Sequence, residues 1–263
     1  NPKNVIFGAL NINSLRNKFK PVCDILCNGY VDVMCICESK LDNSFPHSQF
    51  SVKGFHCFRQ DCTGRSGGIV AYLRSDLACT RHDDLSINDD NIQSLVIEIR
   101  IRREKWFIVS IYRLPNANLP CFCLNLSKMF NQISNESNMY IAVGDINVNM
   151  SGSSSGRRAV DEVLDLFNVQ NVVNEPTCFK GTPSLIDVIL TPNAKRLGKV
   201  INFNSGLSDY HNFIATCSRI QVTKPKKGPV TYRSYRHFNE EAFESDLNNL
   251  PLSVLETFDD VSD

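Results

Sequence analysis

The stretch Tyr140-Ile-Ala-Val-Gly-Asp145-Ile-Asn147-Val-Asn149 sets a carboxylate and an amide two residues apart, where an apolar run ends. The run Tyr140–Val143 is short enough for a buried strand and too short for a helix. Residues two apart at a strand end point their side chains the same way. One of the pair can accept a proton and the other can donate hydrogen bonds to an oxyanion, which suits hydrolysis of a phosphate ester. Asp-x-Asn also occurs in turns, where both residues cap backbone groups, so the stretch by itself leaves both readings open.

Other polar groups sit where further apolar runs stop. Asn11 follows Val5–Leu10, Glu38 follows Val31–Cys37, Tyr112 closes Trp106–Ile111, and Asp209 and His211 precede Phe213–Cys217. Asp187 lies inside the apolar run Leu185–Leu190. A buried carboxylate is costly unless paired, and a histidine is the economical partner. Sites form where strand ends and loops converge. Glu38 can hold a hard divalent cation through oxygen, magnesium being the natural candidate. Asp145 can orient or deprotonate a water. Asn147, His211 and Tyr112 can donate hydrogen bonds to a phosphate whose charge grows in the transition state. Asp187 can hold His211 in one tautomer and raise its proton affinity. No Ser or Cys occupies a nucleophile-elbow setting, which points to direct attack by water.

The elements that must position these groups follow from local patterning. Leu15, Phe19, Val22 and Leu26 recur at helical spacing, with Asn13 or Ser14 as the N-cap, Ser14 preferred. Leu95, Ile97, Ile99 and Ile101 alternate with Val96, Glu98 and Arg100 as a half-buried strand, and Arg102 to Lys105 turns the chain into Trp106–Ile111. Gly64 to Leu73 reads as a glycine turn and a strand; no Lys-Ser/Thr and no helix follow, so it is not a phosphate loop. Helical spacing recurs in 121–134 and after Gly156, and Val200–Phe203 reads as another strand. Domain packing is expected to end near Ile220. Lys224–Pro229 reads as a basic linker, and Phe243, Leu247 and Leu250 give the segment after Phe238 a weak helical pattern.

The 263 residues suffice for one large α/β or α+β domain. No apolar run approaches the roughly 18 residues that a membrane span needs. The chain does not begin with Met and shows no signal peptide, so it reads as cut from something longer. Net charge is zero but unevenly spread: residues 237–263 carry eight acidic and no basic residues, leaving 28 basic against 20 acidic before them. Residues 1–221 hold 23 basic against 20 acidic, compatible with a polyanionic partner. The 11 cysteines lack zinc-site spacing and read as reduced thiols of a cytosolic or nuclear protein.

The ordered set Leu-Asn-Ile-Asn-Ser (10–14), Cys-Glu-Ser-Lys-Leu (37–41), Ile-Tyr-Arg-Leu-Pro (111–115), Gly-Asp-Ile-Asn (144–147), Leu-Ile-Asp (185–187) and Ser-Asp-Tyr-His (208–211) resembles the endonuclease/exonuclease/phosphatase superfamily. More narrowly it resembles the apurinic-type endonuclease domain of non-LTR (LINE-like) retrotransposons. The matches span residues 5 to about 220. The resemblance implies a four-layer α/β (α+β) sandwich over residues 1–221, two mixed sheets face to face with helices outside. It implies Glu38 as the main magnesium ligand with Asn11 beside it, manganese being a possible substitute. It implies Asp145 on the attacking water, Asn147 and Tyr112 on the scissile phosphate, His211 oriented by Asp187, and Asp209 near the metal. Asn13 and Ser184 fall where relatives touch metal-site neighbours or DNA.

Residues 222–263 then comprise a basic linker and an acidic connector; Tyr235 to Leu247 resembles the segment leading to a reverse transcriptase, absent here. The implied function is nicking of a target DNA duplex to leave a 3′-hydroxyl that primes reverse transcription of the element's RNA. The protein would be made in the cytoplasm and act in the nucleus, with no membrane partner. Two departures stand out. Tyr210 separates Asp209 from His211 where the family has them adjacent, so a bulge or altered turn must restore the facing. Tyr-Arg-Leu-Pro stands where relatives often have Tyr-x-Pro-Pro or Tyr-x-Pro-Asn. The alternatives are a host abasic-site enzyme, a phosphodiesterase acting on RNA, lipid or inositol phosphates, and a decayed product that binds nucleic acid without cutting it.

Overall fold

Among the described residues of a computed structural model, twelve strands and four α-helices are distributed over two compact units, Asn1–Lys224 and Pro225–Asp263. The structure describes residues 2–62, 66–223 and 239–249. Gly64 and Arg65, the basic linker, Tyr235–Phe238 and Leu250 lie outside the described residues.

In the first unit the strands are β1 (Pro2–Asn11), β2 (Val33–Cys37), β3 (Phe55–Gln60), β4 (Ile69–Arg74), β5 (Cys79–Arg81), β6 (Gln93–Ile101), β7 (Glu104–Tyr112), β8 (Tyr140–Asp145), β9 (Gln170–Asn171), β10 (Asp187–Thr191), β11 (Ile201–Phe203) and β12 (Phe213–Thr223). Its helices are α1 (Phe19–Cys27), α2 (Leu119–Glu136) and α3 (Ser155–Leu166). The strands form two six-stranded sheets, β11-β12-β1-β2-β4-β3 and β5-β6-β7-β8-β10-β9. Each sheet is mixed, with one parallel pair at its centre, β1 with β2 and β7 with β8.

Strand patterning explains the layering. In β2, Val33, Cys35 and Cys37 pack toward the second sheet, while Met34 and Ile36 pack with Val22 and Leu26 of α1. A strand buried on both faces reads as a continuous apolar run. The outer face of the second sheet is covered by Phe122, Leu126, Met129, Phe130 and Ile133 of α2 and by Val160 and Leu164 of α3. The result is the expected four-layer sandwich, helix–sheet–sheet–helix.

Edge elements carry weak signals. β3, β5 and β9 have no clean alternation and only partial burial, and sequence patterning passed over them. One expected cap is corrected. Neither Asn13 nor Ser14 caps α1: a 3-10 turn, Arg16–Lys18, precedes the helix, and neither start has a side-chain cap. Both residues have positive φ, and the Ser14 amide donates to the Glu38 carbonyl at 2.8 Å. The joint is shaped to grip the Glu38 loop.

The second unit holds α4 (Glu240–Asn248) among its described residues, where the acidic segment's helical pattern was expected. Asn239 caps it by accepting from the Ala242 amide. No helix among the described residues is long and apolar enough to cross a membrane.

Candidate active site

The two parallel pairs run so that β1, β2, β7 and β8 all end on one rim of the sandwich. Register pairs Asn11 with Cys37, Tyr112 with Asp145, and Asp145 with Asp187 across β10. The packing of the two sheets brings Asn11 to Asp145, 134 positions away.

Asn11 joins the two sheets. Its Nδ2 donates to Glu38 Oε1 at 2.9 Å and to Asp145 Oδ2 at 2.8 Å. Tyr112 donates its hydroxyl to the same Glu38 oxygen at 3.0 Å. Tyr112 is buried at the end of the central strand β7, and its hydroxyl orients Glu38. Glu38 has φ +52°, a left-handed conformation that non-glycine residues rarely adopt without a functional constraint. Glycines hold that loop: the Ser39 and Lys40 amides donate to the carbonyls of Gly68 and Gly67. Gly68 has φ +83°, and a Cβ there would lie 2.6 Å from Ser39 Oγ.

Asp145 is buried, with Oδ1 accepting from the Asn147 amide at 2.8 Å. Asn147 lies beyond the end of β8 with φ +47°, so strand alternation does not aim it. Its Nδ2 donates to the Arg113 carbonyl at 2.7 Å, leaving one further N–H to offer. The turn reading of Asp145-x-Asn147 is realised, since Asp145 accepts from the Asn147 amide. Arg113 braces the turn: its amide donates to the Asp145 carbonyl at 2.9 Å and its Nη1 to the Asn147 carbonyl at 3.2 Å.

Asp187 has the partner its burial demanded. Its Oδ2 accepts from His211 Nδ1 at 2.9 Å, and its amide donates to Thr177 Oγ1 at 3.0 Å. Tyr210 is accommodated because His211 lies outside β12 and bridges Cys178 instead. Tyr210 is turned outward, and its carbonyl accepts from the Phe179 amide. Asp209 is exposed. It meets Asn13 Nδ2 at 3.1 Å and Lys18 Nζ at 3.9 Å, and it is linked to Glu38 only through Asn13 and then Lys40. Ser184 is half-buried, and its backbone pairs with Cys178.

Electrostatics follow from this packing. Burial first, then the Asp187 charge, push the Asp145 carboxyl up to about 7, against the opposing pull of His211. Burial disfavours the His211 imidazolium. The hydrogen bond and charge of Asp187, with Asp145 and Glu38 behind, outweigh it, and the pKa lies above its ordinary value. Burial, then the Glu38 charge, raise the Tyr112 phenol, keeping its proton.

Two acceptor sets could meet a cation. Ligand atoms of Asp145, Asp187 and His211 lie within 4.8 Å of one another. There the imidazole N–H is already given to Asp187, so this trio is an internal ion pair. Glu38 and Asp145 offer hard carboxylate oxygens, the ligand type that a cation keeping its own waters takes; Asn11 sets its Nδ2 between them and its Oδ1 accepts from the Asn13 amide at 3.1 Å. The donor chemistry fits a divalent metal at Glu38. Arg113, Lys40, Thr177 and Cys178 were not singled out by sequence reasoning. Lys40 Nζ stands 3.8 Å from Glu38 Oε2, and Cys178 Sγ 3.7 Å from His211 Nε2. Lys40 and Arg113 lie inside the quoted motifs, which was the available signal.

No family model matches the chain, and no curated protein does. Solved structures do. The endonuclease domain of TRAS1, a telomere-specific non-LTR retrotransposon, is similar over 83% of this chain and 99% of its own, with TM-score 0.69 and 16% identity. The 3′–5′ exonuclease NExo from Neisseria meningitidis is similar over 81% and 98%, with TM-score 0.66 and 17% identity. An AP endonuclease from Archaeoglobus fulgidus is similar over 82% and 100%, with TM-score 0.62 and 18% identity. At such identities the likeness is one of fold, and the fold is the endonuclease/exonuclease/phosphatase sandwich.

Proposed function

We propose that this chain is a metal-dependent DNA endonuclease of a non-LTR retrotransposon, nicking its target to leave a 3′-hydroxyl. The observation that supports this best is the convergence of Glu38, Asn11, Tyr112, Asp145 and the Asp187–His211 pair on one rim. A fold shared with a retrotransposon endonuclease domain over nearly its whole length supports the narrower reading.

A divalent cation at Glu38, magnesium or manganese in its place, would supply positive charge to the phosphate oxygens. Asn11 and Tyr112 fix the Glu38 carboxylate. Asp145, with its raised pKa, accepts a proton from the attacking water. The new bond joins the water oxygen to phosphorus. The bond from phosphorus to the 3′-oxygen breaks in line, and that oxygen leaves as a hydroxyl after protonation from solvent. His211, kept protonated by Asp187, donates to a non-bridging oxygen as its charge grows, and Asn147 donates from the braced turn.

On this reading the second unit is a connector toward a reverse transcriptase, which would use the new 3′-end with the element's RNA as template. The protein is made in the cytoplasm and acts in the nucleus. The test is nicking of supercoiled plasmid with magnesium, with manganese and with EDTA, by the unaltered chain and by Asp145→Ala and His211→Ala. Metal-dependent nicks that a DNA polymerase extends, lost in both variants, support the proposal. Nicks that cannot be extended overturn the priming role. Faster cleavage of abasic than of intact duplex would place the chain with the repair enzymes instead.

A further inference from the structure

Beside the site stands an exposed aromatic surface that takes no part in the chemistry above. Thr177–Phe179 runs antiparallel to Tyr210–Asn212. The Phe179 amide donates to the Tyr210 carbonyl at 2.8 Å, and the Asn212 amide to the Thr177 carbonyl at 2.7 Å, with Cys178 bridging His211 between them. Side chains alternate on such a ribbon. His211 and Cys178 share the face toward Asp187, so Phe179 and Tyr210 share the other. They are 48% and 47% exposed, and Lys180 Nζ stands 5.7 Å from the centre of the Tyr210 ring. Phe203, also exposed, lies on β11, where the neighbouring Asn202 donates to the Pro176 carbonyl and accepts from Asn212 Nδ2, both at 2.9 Å, while the Phe203 ring packs on Phe213. Single exposed apolar residues need no explanation, whereas a cluster marks an interaction surface.

We propose that Tyr210, with Phe179 and Lys180, is a stacking ledge for a nucleobase that flanks the scissile phosphate and has left the duplex stack. This rests on the nuclease reading and deepens it. The occupant is set by three features together. The rings lie one ribbon's thickness from the His211 face, close enough for a neighbouring nucleotide. A cation beside the ring suits a polyanion and adds cation–π attraction. Aromatic faces stack on any base without sequence choice. In a duplex both faces of a base are covered by neighbours, so the ledge selects for a base that is already unstacked or easily unstacked. Pyrimidine–purine steps unstack most readily, so they should be preferred over stiff A-tracts. The extra residue between Asp209 and His211 thereby supplies the ring while the Cys178 bridge preserves the catalytic geometry.

The test uses short duplexes with 2-aminopurine at either position flanking the nick, paired or bulged, with the unaltered chain, Tyr210→Ala, Tyr210→Phe and Lys180→Ala. The unaltered chain should quench the bulged 2-aminopurine and cut that duplex with the lowest KM. Tyr210→Ala should abolish quenching and raise KM about tenfold, within the range of one lost base–aromatic stack, with kcat changed less than about twofold. Tyr210→Phe should restore both, and Lys180→Ala should give a smaller rise. Unchanged KM and quenching in Tyr210→Ala overturn the ledge. A fall in kcat alone also overturns it, because Tyr210 would then be holding His211. If the unaltered chain nicks nothing, the nuclease reading fails separately; quenching that Tyr210→Ala abolishes still upholds the ledge, and its absence refutes it.

Discussion

Gly144→Ala should damage both the fold and the chemistry, by an amount the packing sets. Gly144 is the register partner of Ile111 between β8 and β7, and it has φ +143°. A Cβ there would lie 1.9 Å from the Ile111 carbonyl oxygen and 3.0 Å from Cys37 Sγ. That carbonyl cannot retreat freely, because Cys37 Sγ donates to it at 3.3 Å from the other sheet. From 1.9 Å, the strands would have to part by about 1.5 Å to reach ordinary contact at 3.4 Å. The backbone conformation costs about 1–3 kcal/mol for a non-glycine residue. Overpacking a dense core costs about 1–3 kcal/mol more. A loss of about 2–6 kcal/mol is a large share of a total stability of about 5–15 kcal/mol. With a urea slope near 2 kcal/mol per molar, the midpoint should fall by about 1–3 M. Trp106, the single tryptophan and fully buried, reports the transition by fluorescence. Asp145 is the next residue, and a displacement of about 1 Å at a reacting group costs about 100-fold in rate. Gly54→Ala is the control: it also has positive φ, but nothing lies within 4 Å of the added carbon, and it is remote from the site. A Gly144→Ala midpoint within about 0.3 M of the unaltered chain, together with full nicking, would refute the close approach of the strands.

Asp187→Asn should remove the charge that keeps His211 protonated. The alkaline limb of the nicking pH profile should move to lower pH and the rate at neutral pH fall by about 100-fold or more, with the fold kept; an unmoved profile contradicts the pairing. Asp145→Asn should cut nicking by about three orders of magnitude yet raise stability above neutral pH. The folded carboxyl is raised from 3.8 to about 7, so it holds a proton that the unfolded chain has released. Its stabilising contribution is therefore full below about pH 4 and lost as pH rises through about 7. Without metal, the unaltered chain's Tm should fall across that window and the variant's should not; parallel Tm curves would show that Asp145 is not desolvated. Glu38→Gln should abolish the rise in Tm that saturating magnesium gives the unaltered chain. A persisting rise would place the ion at other ligands.

Much of the site was legible in one dimension because strand ends announce themselves. Where the runs Val5–Leu10, Val31–Cys37 and Tyr140–Val143 stop, a polar group that needs partners follows: Asn11, Glu38 and Asp145. Continuous apolar character and length identified those runs without knowledge of their neighbours. The buried acid Asp187 signalled a partner by its cost alone, and the partner is His211. Three things depended on the tertiary structure. Asn11 bridges the two sheets, a contact set by sheet packing across 134 positions, which no local pattern encodes. The charge state of Asp145 depends on burial and on Asp187 across the β8–β10 register, and desolvation is a property of the assembled core. The inserted Tyr210 looked like a threat to the site because a one-residue shift reverses a strand's facing. Pairing with residues 177–179 absorbs the shift and turns the ring outward. Patterning along the chain records which groups must be buried or freed, while which of them meet is decided by register and by the packing of two sheets.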